Sequence, residues 1–519
     1  MNKIYFKLLP LVAFGFLACE PEFDESVEEN EMYTAGEADF STFVSVGNSL
    51  TAGYADNALY RQGQMNSLPN IMAGQFERVG GGEFSQPLMA DNLGGLKLNG
   101  QIVAENRLVL STTSGSPAPA PIAGEPQTEI TNKLTGSFNN MGVPGAKSFQ
   151  LSREGYGNPE GVAIGQANPY FARFASSNSA TVIGDAVSQN PTFFTLWIGN
   201  NDILGFATSG GTGVDQTGNL DPETYGGNDI TDPNVFAQTY SGLVENLNAN
   251  ASGGVVYNIP NVTNIPFFTT VPNNALELDA STAQSLTLFF QAVSGIFAQG
   301  LIQQGVPPQQ AQALAAQYAI TFEEGPNEFI IDVPASETNP LGFRQMQEDE
   351  LLLLTIDQAA LAQGYGSVNL TPEVQQVLGI LQQGGTPTPE QAQLVLNAVN
   401  GIDDGDALDS DELEAISEAR SNYNSTIQSV AEANDLVMVD ADALLADVSQ
   451  GIPFEGGIIT SEFVTGGAFS LDGVHLTPRG YALVADETIR LVNQKYGANV
   501  PQVLVGDYGT VNFSDDVMN

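Results

Sequence analysis

One histidine, one cysteine and one tryptophan occur in the 519 residues of this chain, and 15 basic residues face 60 acidic ones. Each scarcity excludes something. With Cys19 as the only cysteine, no disulfide forms within the chain. A formal net charge of −45 repels nucleic acid and anionic membrane surfaces, because phosphate binding needs clustered Lys and Arg, so nucleic acid is not an expected partner. The acidic excess suits a solvated surface in salty surroundings. What is present is a globular composition, 42% hydrophobic and 14% charged, with ample material for a core. The length exceeds that of a usual single domain, which implies several domains or one domain carrying large insertions.

The lone histidine, His475, lies in Phe469-Ser-Leu-Asp-Gly-Val-His-Leu-Thr-Pro-Arg-Gly-Tyr481, three positions after Asp472. Imidazole is the one side chain whose ordinary pKa lets it take and return a proton near neutrality. A carboxylate in the same turn can accept the Nδ1 proton, fix the tautomer and leave Nε2 as general base. A nucleophile for that base is found more than 400 residues upstream, in Phe43-Val-Ser-Val-Gly-Asn-Ser-Leu-Thr-Ala-Gly-Tyr54. The alternating β-branched run ending in Gly-Asn-Ser reads as a strand breaking into a turn, which presents Ser49 at the strand's carboxyl end. Ligands bind there in open α/β sheets.

Four short blocks in order give the chain a resemblance to the SGNH/GDSL hydrolase family. They are Gly47-Asn-Ser-Leu50, Asn140-Met-Gly-Val-Pro-Gly145, Gly199-Asn-Asn-Asp202 and Asp472-Gly-Val-His475. The resemblance implies a three-layer α/β/α flavodoxin-like fold with a parallel sheet. It implies Ser49 as nucleophile, His475 as base, Asp472 as its orienting partner, and an oxyanion hole of the Ser49 N–H, the Gly145 N–H and the Asn201 side-chain amide. The implied reaction is ester hydrolysis through an acyl-enzyme, with no metal or organic cofactor, on a small-molecule, lipid or polysaccharide ester. Asn48 departs from the pattern, standing where the family has aspartate: it keeps an acceptor and loses the charge. The alternative is a binding protein on an inactive scaffold of the same kind.

At the start of the chain, Lys3 and Lys7 precede an uncharged run to Ala18, the layout of a secretory signal peptide over residues 1–18. Phe16-Leu-Ala-Cys19 resembles a bacterial lipobox, which implies lipidation of Cys19 and attachment to a membrane. Residues 19–39 read as an acidic tether, and acidic residues after the lipidated cysteine resemble the export signal of Bacteroidetes surface lipoproteins. The expected location is therefore the cell envelope, as an outer-membrane lipoprotein exposed at the surface.

The remainder, 40–505, reads as the hydrolase domain with insertions at about 55–135 and 270–405, followed by a tail over 506–519. The first insertion is rich in Gly, Pro and Ser, and Tyr60, Gln64 and Pro69 within it are placed either to shape a pocket or to cover the sheet edge. Pro191–Ile198, Gly253–Pro260 and Leu436–Val439 read as buried strands. Asp232-Pro233 begins a helix whose Phe236, Tyr240, Leu243, Val244 and Leu247 share one face, and this alternation argues for a parallel sheet with helices on both sides. From Ala280 to Phe322 there is no charge, with apolar residues at near-helical spacing. Gln and Ser interrupt them too often for a membrane span, leaving a mobile lid or acyl-binding wall, or a buried helical hairpin packed on the core. The carboxylates of 402–412 do not fit the spacing of an EF-hand loop, and Asp409 with Glu412 reads instead as a helix start. A last helix, Tyr481 to Lys495, is closed by Gly497.

Overall fold

Five short strands, nearly all of them fully buried, organise the molecule in a computed structural model that describes residues 33–518. The expected signal peptide, Cys19 and most of the acidic tether lie outside the described residues. The strands are β1 (Phe43–Gly47), β2 (Asn140–Gly142), β3 (Phe193–Trp197), β4 (Gly253–Tyr257) and β5 (Val437–Val439). All pair in parallel, in the order β2-β1-β3-β4-β5. Strands buried on both faces need apolar residues at successive positions, and here the two faces divide them by the period of two. Val44, Val46, Phe194, Leu196 and Val256 enter one core, and Phe43, Phe193, Trp197, Val255 and Tyr257 the other.

Helices cover both faces, giving three layers. Those that matter below are α1 (Ser49–Ala52), α2 (Leu68–Glu77), α3 (Asn201–Thr208), α4 (Pro233–Asn248), α5 (Ala280–Gln303), α6 (Ser410–Ala433), α7 (Ala441–Gln450) and α8 (Pro478–Tyr496). The expected cap of α4 is present, with Asp232 accepting from the N–H groups of Asn234 and Val235. α4 and α6 bury Phe236, Tyr240, Leu243, Ile416, Tyr423 and Ile427 on one face. α2 and α8 bury Leu68, Ile71, Met72, Phe76, Tyr481, Ile489 and Val492 on the other. α2 falls inside the stretch read as the first insertion, yet it packs on α8 as part of the layered core. α8 starts at Pro478, earlier than expected, because Thr477 caps it through the Gly480 N–H, and it ends at Gly497 in the left-handed conformation.

Apart from a short helix at Arg61–Met65, the remainder of 55–135 folds into small sheets and loops, and residues of the C-terminal tail join them. Leu110 N–H donates to Asn512 at 2.8 Å and Met518 N–H to Pro121 at 2.9 Å, so residues of the tail extend the hairpin of Leu108–Ser111 and Ala118–Pro121. The segment 270–405 has apolar cores of its own. Leu286, Phe289, Phe290 and Val293 of α5 pack with Tyr318, Phe343, Val374, Val377 and Val395. By length and composition α5 could cross a membrane, but these side chains are covered by its own module, where it pairs with the helix Pro308–Ala315. A helical hairpin is present, but it packs in a core of its own and not on the core of the central sheet as expected, and it supplies no residue to the pocket at Ser49. In the acidic stretch, Asp404–Asp406 forms a single helical turn, and Asp409 and Glu412 make a reciprocal capping box at the start of α6.

Candidate active site

The chain leaves β1 at Gly47 and turns at once into α1, with no spare room. A Cβ on Gly47 would overlap Thr51 Oγ1 and the Trp197 carbonyl, and one on Gly142 of β2 would overlap the Ala52 backbone nitrogen. Both glycines are needed for close approach of neighbouring strands to the turn. Asn48 caps α1: its Oδ1 accepts the Leu50 N–H at 3.0 Å, and its amide donates to Asn200 Oδ1 at 3.3 Å. An ionised aspartate could do the first but, having no donor, not the second. Ser49 is thereby fixed at the carboxyl edge of the sheet, beside the point where strand order reverses between β1 and β3.

His475 arrives from the loop before α8, which folds on itself through the Ser470 N–H donating to the His475 carbonyl at 2.8 Å. Its Nε2 lies 2.9 Å from Ser49 Oγ and its Nδ1 2.9 Å from Asp472 Oδ2. With the carboxylate accepting the Nδ1 proton, the Nε2 lone pair faces the serine hydroxyl. Asp472 Oδ1 accepts from the N–H groups of Val474 and His475, at 2.9 and 2.8 Å, and from Ser470 Oγ at 3.2 Å. Burial opposes ionisation of Asp472, but the facing His475 and the surrounding N–H donors outweigh it and hold the carboxyl well below its ordinary range. The Tyr54 ring packs 4.6 Å from the imidazole, held by Tyr481, whose hydroxyl donates to the Tyr54 carbonyl at 2.7 Å.

The three expected oxyanion-hole donors occupy the ends of β1, β2 and β3. The N–H groups of Ser49 and Gly145 donate to nothing within the described residues. Asn201 uses one amide hydrogen on the Ala146 carbonyl at 2.9 Å, which ties it to the residue after Gly145 and leaves its second hydrogen without an acceptor among the described residues. The next pair of residues locks this arrangement. Asp202, fully buried, accepts the Ser148 N–H at 2.9 Å and the Ser148 hydroxyl at 2.7 Å, while Lys147 Nζ donates to the Asp229 carbonyl. Burial raises the Asp202 carboxyl and lowers the Lys147 ammonium from their ordinary values.

Sequence reasoning missed the support of Asp472 by the chain just after Ser49. Asp56 and Asn57 both adopt left-handed backbone, φ 54° and 62°, which Asp and Asn tolerate better than most residues. This bend aims the Asn57 N–H at Asp472 Oδ2, 2.8 Å away. Asp56 N–H donates to Ser470 Oγ at 2.9 Å, and its carboxyl accepts from Leu471 N–H at 3.2 Å and the Tyr60 hydroxyl at 2.9 Å. Burial raises the Asp56 pKa to about 6. The sequence signal, an Asp-Asn pair after Tyr54, is too common among turns to have been singled out. Tyr60 thus holds Asp56, Gln64 donates to the Pro87 carbonyl at 3.0 Å, and Pro69 lies in the first turn of α2; none of the three lines the pocket at Ser49.

That pocket is bounded by the ends of β1 and β3, the segment after β4, α7 and α8. Among the described residues, no group of three or more His, Cys, Asp or Glu side chains gathers in a way that could hold a metal ion. Searches of protein-family models, curated proteins and solved structures return no match to the chain.

Proposed function

We propose that this protein is a serine ester hydrolase of the SGNH/GDSL kind, built on a flavodoxin-like three-layer fold. The observation that carries the reading is the unbroken relay from Ser49 Oγ through both ring nitrogens of His475 to Asp472, with 2.9 Å at each step. It joins residues 426 positions apart in the chain. The strand order supports the fold, since 2-1-3-4-5 is the flavodoxin-like arrangement and binds ligands beside its first and third strands.

In this mechanism Ser49 Oγ attacks the ester carbonyl carbon as its proton passes to His475 Nε2. The oxygen that gains negative charge is received by the N–H groups of Ser49 and Gly145 and the Asn201 amide, neutral donors fixed before the reaction begins. Collapse breaks the bond to the alcohol oxygen, which takes the proton from His475. Water then attacks the acyl-enzyme with His475 as base, releasing the acid and restoring the serine hydroxyl. Asp472, ionised throughout, holds the ring and stabilises the imidazolium. Membrane attachment through a lipid on Cys19, at the surface of the outer membrane, belongs to the same proposal and rests on the N-terminal sequence alone.

Labelling with a fluorophosphonate and mapping the modified peptide tests the reading. Modification of Ser49, abolished in Ser49→Ala, is the expected outcome. A folded protein that stays unlabelled would instead mark a binding protein on an inactive scaffold.

A further inference from the structure

The pocket that opens at Ser49 is unusual in what its walls omit. It is a cleft partly open to solvent, and its only Ser, Asn and His side chains are Asn48, Ser49, Asn200, Asn201 and His475. All five belong to the reacting end. Beyond them no charged residue lines it. The far walls are aliphatic: Leu444, Leu445 and Val448 from α7, Leu483 and Val484 from α8, and Val262 after β4. Leu444 and Leu483 are only half-buried, and both also border a neighbouring groove between the two helices where Asp440, Asp447, Asp486, Glu487 and Arg490 stand, so the aliphatic wall of the Ser49 pocket ends at a charged rim.

The walls are also held in place. The Asn258 amide donates to Asp440, the cap of α7, at 2.7 Å, and Asp442 in its first turn accepts the Asn261 N–H at 2.7 Å. The segment after β4 and α7 are therefore stapled together around the gap, and the cleft is preformed, as ligand pockets usually are.

We infer that this pocket binds the hydrocarbon chain of the ester, so that the substrate is a lipid-like ester and not an acetylated sugar. A sugar ring brought against these walls would surrender the hydration of its hydroxyls without gaining partners. A hydrocarbon chain completes the burial of Leu444 and Leu483 and needs no polar partner. The inference rests on the hydrolase reading for its account of turnover, but not for its account of binding. The chain enters as the acyl or as the alcohol part of the ester; the same walls serve either.

Binding is read without chemistry through Trp197, the only tryptophan, which lines the pocket. Titrating the Ser49→Ala protein with sodium octanoate should change its fluorescence saturably, whereas sodium acetate should not. Turnover is read on p-nitrophenyl esters of lengthening acyl chain and on acetates of lengthening n-alkyl alcohols. In the series whose chain enters the pocket, kcat/KM rises about fourfold per buried methylene until the space is filled; which series rises assigns the acyl or alcohol side. Leu444→Glu, at a half-exposed position that tolerates a charge, and Val448→Phe, which fills the cavity, should each cut the long-to-short ratio at least tenfold and weaken the octanoate response. Flat profiles in both series, or a rise that neither variant alters, would overturn the inference, as would an unresponsive Trp197. A protein that hydrolyses no ester and leaves Ser49 unlabelled, yet shows the octanoate response lost in Leu444→Glu, would keep the pocket and remove the hydrolase.

Discussion

Replacing Asp56 by Asn keeps the shape of the side chain behind Asp472 and removes its charge. Asp56 is 3% exposed, and burial lifts its pKa from 3.8 to about 6. The Leu471 N–H, the Tyr60 hydroxyl and Arg107 pull it down, and the Asp472 carboxylate pushes it up; Tyr481 is the other titratable group facing it. The folded chain holds this proton more tightly than the unfolded chain, so the group's contribution to stability is fully present below 3.8 and is lost as pH rises through about 6. A shift of about two units corresponds to about 3 kcal/mol. Asn does not titrate, and it retains both contacts if Tyr60 turns its hydroxyl to accept. Asp56→Asn should therefore gain about 3 kcal/mol on the wild type between about pH 4 and pH 8, whatever constant offset the amide introduces. Urea unfolding of both proteins across that range measures the difference directly. The Glu412 carboxyl, raised to about 7 chiefly by burial, slopes the same way in both chains and cancels. A stability difference independent of pH, or one that grows as pH falls, would refute the reasoning.

Two further substitutions test the packing around and away from the site. Gly142→Ala places a Cβ against the Ala52 backbone, within 2.7 Å of its Cα. The turn carrying Ser49 must shift, and a loss of about 1–3 kcal/mol should accompany a fall in kcat, measurable by thermal melting and ester kinetics. Phe290→Ala, deep in the separate core of the second insertion, should cost about 3–5 kcal/mol. Hydrogen exchange should show the loss concentrated in 280–400 and not in the central sheet.

Much of the fold was legible because its strands and helices carry their own signals. β3 and β4 are apolar runs bounded by Gly or Pro, β5 is one bounded by Asp435 and Asp440, and α4 and α6 announce their starts with Asp232 and with the Asp409–Glu412 pair. α2 was overlooked although Leu68, Ile71, Met72 and Phe76 keep a helical period, because the surrounding Gly, Pro and Ser read as loop. The relay residues were legible because each lies in a short block of distinctive composition. Their support was not. Asn57 acts through a backbone N–H, which any residue would carry, and Asp56 and Ser470 meet only because the fold joins positions 414 apart. The pocket walls were hidden for a different reason: Leu444, Leu445 and Val448 have the spacing of an ordinary core stripe, and only the gap left between α7 and α8 distinguishes them.

The central claim is that His475 is the base that activates Ser49, and ester hydrolysis by purified, folded His475→Ala tests it most directly. The chain contains no other histidine to substitute for it. The account predicts that kcat for a short-chain ester falls about a thousandfold or more. Near-wild-type hydrolysis by the variant would contradict it.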